Sequence, residues 1–172
     1  MLPAKILNNG ELMRKLKDRI IAILIILSII TIDQTTKMLA VAFLKPIEEV
    51  PVLGNLLVLR YCTNTGAAFS MFQNNKLLLI GFTSLFLMVG LVVIFGGFIK
   101  KRTPLYLISI VIAGGIGNLI DRLFLGYVTD FIYIKVIDFA IFNFADMCVT
   151  IGGTLLVIYL IFFDKEIKNE QL

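Results

Sequence analysis

Residues 142–153 read FNFADMCVTIGG and run without a break into TLLVIYLIFF, residues 154–163. About twenty apolar residues in a row are enough to cross the ~30 Å hydrocarbon core of a bilayer. Asn143 followed three residues later by Asp146 fits a helix N-cap with an acidic residue in the first turn, close to a capping box. The stretch therefore reads as the start of a membrane helix, and it brings a carboxylate with it. A charge near the centre of a bilayer costs roughly 2.5–3.5 kcal/mol on insertion scales. A second carboxylate poses the same problem. Asp130, in VTDFI at 128–132, is flanked by apolar residues and has no basic residue within four positions.

Working outward, the rest of the chain has the same character. Of 172 residues, 59% are hydrophobic and the mean hydropathy is +0.95, well above the 45–50% apolar content of soluble domains. Four spans are expected, at about 20–39, 77–99, 105–125 and 144–163, within a single domain covering 1–172. The net charge of +4 does not point to nucleic acid, because the basic residues gather at span ends. Lys5, Arg14, Lys15, Lys17 and Arg19 precede the first span, and Lys100, Lys101 and Arg102 form a short loop. By the positive-inside rule both termini and that loop face the cytoplasm. The segments 40–76 and 126–143 then face outward. A basic start, an apolar run and AVA at 40–42 also fit a cleaved signal peptide, although the basic region is long for one.

The first outer segment carries Pro46, Pro51, Gly54 and Gly66 between apolar, β-branched runs. EEVPVLGNLLVLRYC reads as short strands joined at Gly54-Asn55. The second, YVTDFIYIKVIDFAIFN, is amphipathic and is expected to lie in the interface. The chain has no histidine, which removes Ser–His and Cys–His nucleophile pairs and histidine metal sites. Cys62 and Cys148 are expected as small buried thiols, without a disulfide.

Depth along the spans sorts the polar residues. With ~1.5 Å rise per residue, Asp33 and Lys37 fall in the outer third of the first span, four apart on one face, as an ion pair. Gly114, Asn118 and Arg122 repeat every four residues toward the outer end of the third span. Asp121 lies beside Arg122, where the two could simply balance charge. Gly114, Gly115 and Gly117 suit close helix packing. Asp130 lies just beyond that span, and Asn143 and Asp146 open the fourth. NTGAAF, 64–69, closes the first outer segment. The intramembrane polar groups share one layer near the outer surface. A transport path should instead cross the membrane, and the inner halves of the spans carry no charge. A protease of the Gly-x-Gly-Asp type fails because GIGN places Asn118 at the decisive position. A Ser/Lys peptidase using Ser70 with Lys37 or Lys76 and a non-enzymatic scaffold are weaker alternatives.

IDQTTK, NTGAAFS, GGIGNLIDR, VTDFI and FNFAD stand in the order and approximate spacing seen in lipoprotein signal peptidase, also called signal peptidase II, and the chain resembles that family over about 20–160. The resemblance implies an all-α membrane protein: a four-transmembrane-helix bundle with a small periplasmic β-sheet and an interfacial periplasmic helix. It implies an aspartyl endopeptidase of the bacterial inner membrane, working at its outer face on diacylglyceryl-modified prolipoproteins. Cleavage falls just before the lipidated cysteine. Asp130 and Asp146 match the catalytic aspartates. Asn64, Gly66, Asn118, Arg122, Asn143, Asp33, Lys37 and Asp121 match the other polar site residues. No cofactor, metal or nucleic acid is implied; the partners are the prolipoprotein and membrane lipids, and the expected state is a monomer. Met147 stands where the family often has serine, and the proline common before FN is missing. Two close carboxylates share one proton, and Asp146, at a helix N-terminus, is the expected ionised partner.

Overall fold

The computed structural model describes residues 9–47, 49–66 and 75–163. Ala67–Ser70 of the NTGAAFS motif and the two chain ends lie outside the described residues. Four helices dominate: α1 (Asn9–Leu39), α2 (Lys76–Phe95), α3 (Arg102–Phe124) and α4 (Phe144–Phe162). The last three are long and apolar enough to cross a membrane. Their outward faces carry Phe82, Phe86 and Val89 on α2 and Leu155, Ile158 and Phe162 on α4, all exposed. Patches of that extent are tolerated against lipid tails and not against water. α2 stops short of the expected Ile99, because Gly97 takes a φ of +80° that ends the helix. α1 begins well before the expected Ile20.

Helix α3 is the post of the bundle and packs against α4, α1 and α2. Its glycines make this possible. A Cβ on Gly114 would sit 2.5 Å from the Ala145 carbonyl oxygen of α4, and one on Gly117 would strike Asp33 Oδ2 of α1. Gly115 faces Leu87 of α2. Toward the far end of the bundle the gap is filled by an apolar core of Ala22, Ile26, Leu87, Ile94, Leu105, Ile112 and Ala113. A π-helical turn, Ala40–Leu44, follows α1 directly. Ala40 and Leu44 pack with Phe131 to tie the sheet to the bundle.

The sheet has three antiparallel strands in the order β1 (Glu49–Leu53), β2 (Leu57–Asn64), β3 (Val128–Ile134). β1 and β2 form the expected hairpin, with Gly54 at φ +51° in its turn. The interfacial helix expected over 126–143 is not formed. VTDFIYI is strand β3, and only Lys135–Ile137 makes a single 3₁₀ turn. The run is rich in β-branched and aromatic residues, but what decides its conformation is the free edge of β2, some seventy residues earlier in the chain. Pairing is Leu59 with Ile132 and then Cys62 with Asp130, so Arg60 and Tyr61 oppose Phe131 alone. Such a bulge bends the strand and re-aims its neighbours. On its other side β3 meets the chain again: Phe142 N donates to Ile132 O at 3.0 Å, and Ile132 N to Phe142 O at 2.8 Å.

The glycine contacts give a direct test. Gly117→Ala should lower thermal stability in detergent by about 1–3 kcal/mol, the range for overpacking a filled interior. Gly153→Ala, whose Cβ would meet nothing within 4 Å, should be neutral or raise stability by up to ~1 kcal/mol through helix propensity. Equal melting shifts for the two would rule out the packing account.

Candidate active site

The site begins where Phe142 leaves β3 and the next residue caps α4. The fully buried Asn143 accepts the Asp146 N–H on Oδ1 at 3.0 Å, and its own N–H donates to Asp146 Oδ2 at 3.2 Å. This is the capping box read from the sequence. The amide's other end, Nδ2, donates to Asp130 Oδ1 at 2.6 Å. Asn143 therefore touches both carboxylates, one with its backbone and one with its side chain.

Asp130 lies next to the β2 bulge, 1% exposed. Its second oxygen accepts Asn64 Nδ2 at 3.1 Å, and Asn64 Oδ1 accepts the Gly66 N–H at 2.9 Å, which fixes the Asn64 amide. Burial and the nearby Asp146 charge raise the Asp130 carboxyl to about 7, against the opposing pull of Asn64, Asn143 and Lys37. Two amide donors favour the anion, yet desolvation and like charge outweigh them. Asp130 thus exchanges its proton close to neutral pH.

Behind the pair lies a buried polar cluster. Lys37 Nζ is 2.9 Å from Asp33 Oδ2 and 3.3 Å from Asp121 Oδ2, and it donates to Asn118 Oδ1 at 2.9 Å. The expected Asp33–Lys37 pair is present but belongs to this larger group. Asp33 Oδ1 also accepts the Ala145 N–H at 3.1 Å, which ties α1 to the first turn of α4. Asn118 Nδ2 donates to Asp146 Oδ1 at 2.8 Å. Asp121 faces inward to Lys37 and to the Thr129 N–H, 3.0 Å away. Arg122, its neighbour, turns aside and donates to Gly66 O at 2.9 Å, so the two do not form the charge pair that adjacency suggested.

Gln34 was not singled out from the sequence. It donates to Asp33 Oδ2, Asp121 Oδ1 and Gly117 O within 3.1–3.2 Å. Its signal was present: an amide beside a carboxylate, deep in an apolar helix. Of the cysteines, Cys148 is buried and Cys62 only half-buried, and both are free.

Asp130, Asp146, Asn64, Asn118 and Arg122 line one cavity of about 780 Å³. Phe139, Ile141, Met147 and Ile151 give it an apolar wall that continues along α4. Arg122 Nε is buried without a hydrogen-bond partner among the described residues. No group of three or more His, Cys, Asp or Glu placed to hold a metal occurs among the described residues. The chemical resource of the cavity is a pair of unlike carboxylates with fixed amide donors.

A helical bundle with membrane-length helices, a three-stranded sheet at one end and two carboxylates, one buried and one half-buried, on a largely apolar cavity fit a polytopic membrane enzyme. Comparison with known proteins narrows this. The family model described as Signal peptidase (SPase) II matches residues 25–162, and the chain belongs to that family. The lipoprotein signal peptidase of Caldanaerobacter subterraneus subsp. tengcongensis is 41% identical over 143 residues, covering 82% of this chain and 96% of that one. That of Clostridioides difficile is 34% identical, covering 84% and 97%. A solved bacterial membrane enzyme superimposes with a TM-score of 0.73 at 32% identity, over 81% of this chain and 87% of that one.

Removing the cation of the buried cluster should be costly. Lys37→Met leaves Asp33 and Asp121 without their shared partner, and breaking a buried pair in this way costs about 3–5 kcal/mol. Thermal unfolding in detergent should show it as a large drop in melting temperature. A drop no larger than that of a surface Lys→Met change would mean the cluster is not held by charge.

Proposed function

We propose that this protein is an aspartic endopeptidase that removes the signal peptide from diacylglyceryl-modified prolipoproteins, cutting just before the lipidated cysteine. The supporting observation is the shared grip of Asn143 on Asp130 and Asp146 at the wall of the apolar cavity. Family membership makes the chain a peptidase of lipoprotein processing. The division of labour within the site follows from its hydrogen bonds.

Asp146 accepts donors on both oxygens and sits at the positive end of α4. It is the ionised member and takes a proton from water as the water attacks the scissile carbonyl. Asp130 is the protonated member. Both of its oxygens already accept amide protons, and both amides are pinned by a second bond. Its own proton therefore points into the cavity, toward the carbonyl oxygen on which charge develops. The unpartnered Arg122 Nε offers a further donor for substrate backbone. The apolar wall receives the acyl chains. Asp33, Lys37 and Asp121 support the site from behind.

α1 serves as the fourth span, beside α2, α3 and α4. Both termini and the Lys100–Arg102 loop face the cytoplasm, by the bias of the basic residues. The sheet and the carboxylates lie at the outer face of the bacterial inner membrane, where an exported precursor presents its cleavage point. The protein works as a monomer.

Asp130→Asn and Asp146→Asn should each lower turnover of a lipidated precursor by about 10³-fold or more, within reach of the loss of a general acid or base, while melting temperature shows a folded protein. Near-normal turnover in either folded variant sinks the dyad. In the parent, kcat should fall as pH rises through about 7, where Asp130 loses its proton. Asn64→Ala removes a donor that favours the anion, so this basic limb should move to higher pH. A limb that stays put or moves down would assign it to another group.

Topology is tested by labelling. In a Cys62→Ser/Cys148→Ala background, a cysteine at Asn55 should react with a membrane-impermeant thiol reagent in protoplasts. One at Lys101 should react only after lysis. The reverse pattern places the carboxylates on the cytoplasmic side and removes the proposed substrate.

A further inference from the structure

Lys37 is 3% exposed and touches neither Asp130 nor Asp146. Its ammonium has three protons and no lone pair, and three acceptors surround it: Asp33 Oδ2, Asp121 Oδ2 and Asn118 Oδ1. The third is unlike the others. An asparagine amide has an accepting end and a donating end, and only its surroundings decide which way it faces. The Asn118 oxygen receives Lys37 Nζ at 2.9 Å and Asn143 Nδ2 at 3.1 Å. Turned over, its NH₂ group would meet a cation and a second NH₂ group, while its oxygen would face the Asp146 carboxylate. With Lys37 in place the amide has one acceptable orientation, and Nδ2 donates to Asp146 Oδ1 at 2.8 Å.

Resting on the two-aspartate reading above, we propose that Lys37 is a positioning residue that fixes the orientation of the Asn118 amide and so keeps a hydrogen-bond donor on Asp146. The lysine acts two bonds away from the carboxylate. This is separate from its pairing with Asp33 and Asp121, which holds α1 against α3. Without the cation, only Asn143 and Asp146 itself order the Asn118 amide, and the flipped state becomes more accessible. Each flipped molecule has lost a donor from the carboxylate that must be ionised and has gained a lone pair directed at it. Asp146 is also faced by Arg122 of α3 and Asp130 of β3; the Lys37 charge acts on Asp130 directly as well, an effect present with or without the Asn118 amide and therefore separable from its orientation.

A double-mutant cycle on kcat separates positioning from stability. Lys37→Met and Asn118→Ala are made singly and together, all in an Asp33→Asn background that relieves one of the carboxylates left uncompensated, and kcat is referred to the folded fraction. With Asn118 present, Lys37→Met should lower kcat by about tenfold or more, the weight of a hydrogen bond to a charged group, with KM within about twofold of the parent background. With Asn118→Ala, adding Lys37→Met should change kcat by less than about twofold, because no amide remains to orient. Equal loss in both Asn118 backgrounds, or an unchanged kcat in folded Lys37→Met, overturns the assignment. Those outcomes with Asp130→Asn inactive reject only the role of the lysine; an active Asp130→Asn rejects the two-aspartate reading itself.

Discussion

The side-chain amide of Asn143 has one oxygen and one nitrogen, and both are committed. The oxygen caps α4 through the Asp146 N–H; the nitrogen reaches Asp130 on β3. One residue earlier, Phe142 is stitched to Ile132 by backbone hydrogen bonds. Sheet and helix are therefore joined over two residues, and the separation of the two carboxylates is set by covalent geometry as much as by packing. The cost of placing two acids here is met locally: the half-buried Asp146 by a helix N-terminus and an amide, the buried Asp130 by two amides and a carboxyl raised to about 7.

The buried cation cluster solves a second problem. α1, α3 and α4 must converge closely at one level, and apolar contact alone does not fix rotation or register between smooth helices. Lys37, Asp33, Asp121 and Gln34 do, because each misalignment leaves a charge or an amide unpaired in a dry interior. Gly114 and Gly117 clear the room that this convergence needs. Interhelical polar bonds and small residues together are what association within lipid relies on, since the surroundings supply no hydrophobic drive.

Features that depend on neighbours along the chain were legible in the sequence. The apolar lengths gave α2, α3 and α4, Gly54-Asn55 gave the hairpin, and Asn143 with Asp146 gave the cap. Helical spacing placed Asp33, Lys37, Asn118 and Arg122 near one depth. What depends on distant partners was not legible. The amphipathic run 127–143 suggested an interfacial segment and the family resemblance a helix there, and only the edge of β2 makes its first half a strand. Gln34 carries a local signal, an amide beside a carboxylate in an apolar helix, but its partners, Asp121 and the Gly117 carbonyl, are known only once α3 is in place. The outward turn of Arg122, away from Asp121, depends on where Gly66 comes to lie.

The capping box has a consequence for evolvability. Asp146 is at once a wall of the cavity and the residue that holds the first turn of α4 together. A small molecule that bound by gripping this carboxylate would engage an atom set the chain has little freedom to alter. Replacements that remove the grip by shortening or reversing the side chain also release the Asn143 N–H and fray the helix entry on which Asp33 and Ala145 converge. Escape routes would be pushed to the apolar wall, at Met147, Ile151 or Phe139, where size can change without unpairing a polar group. Selection under such a compound is thus expected to sample shape before it samples charge.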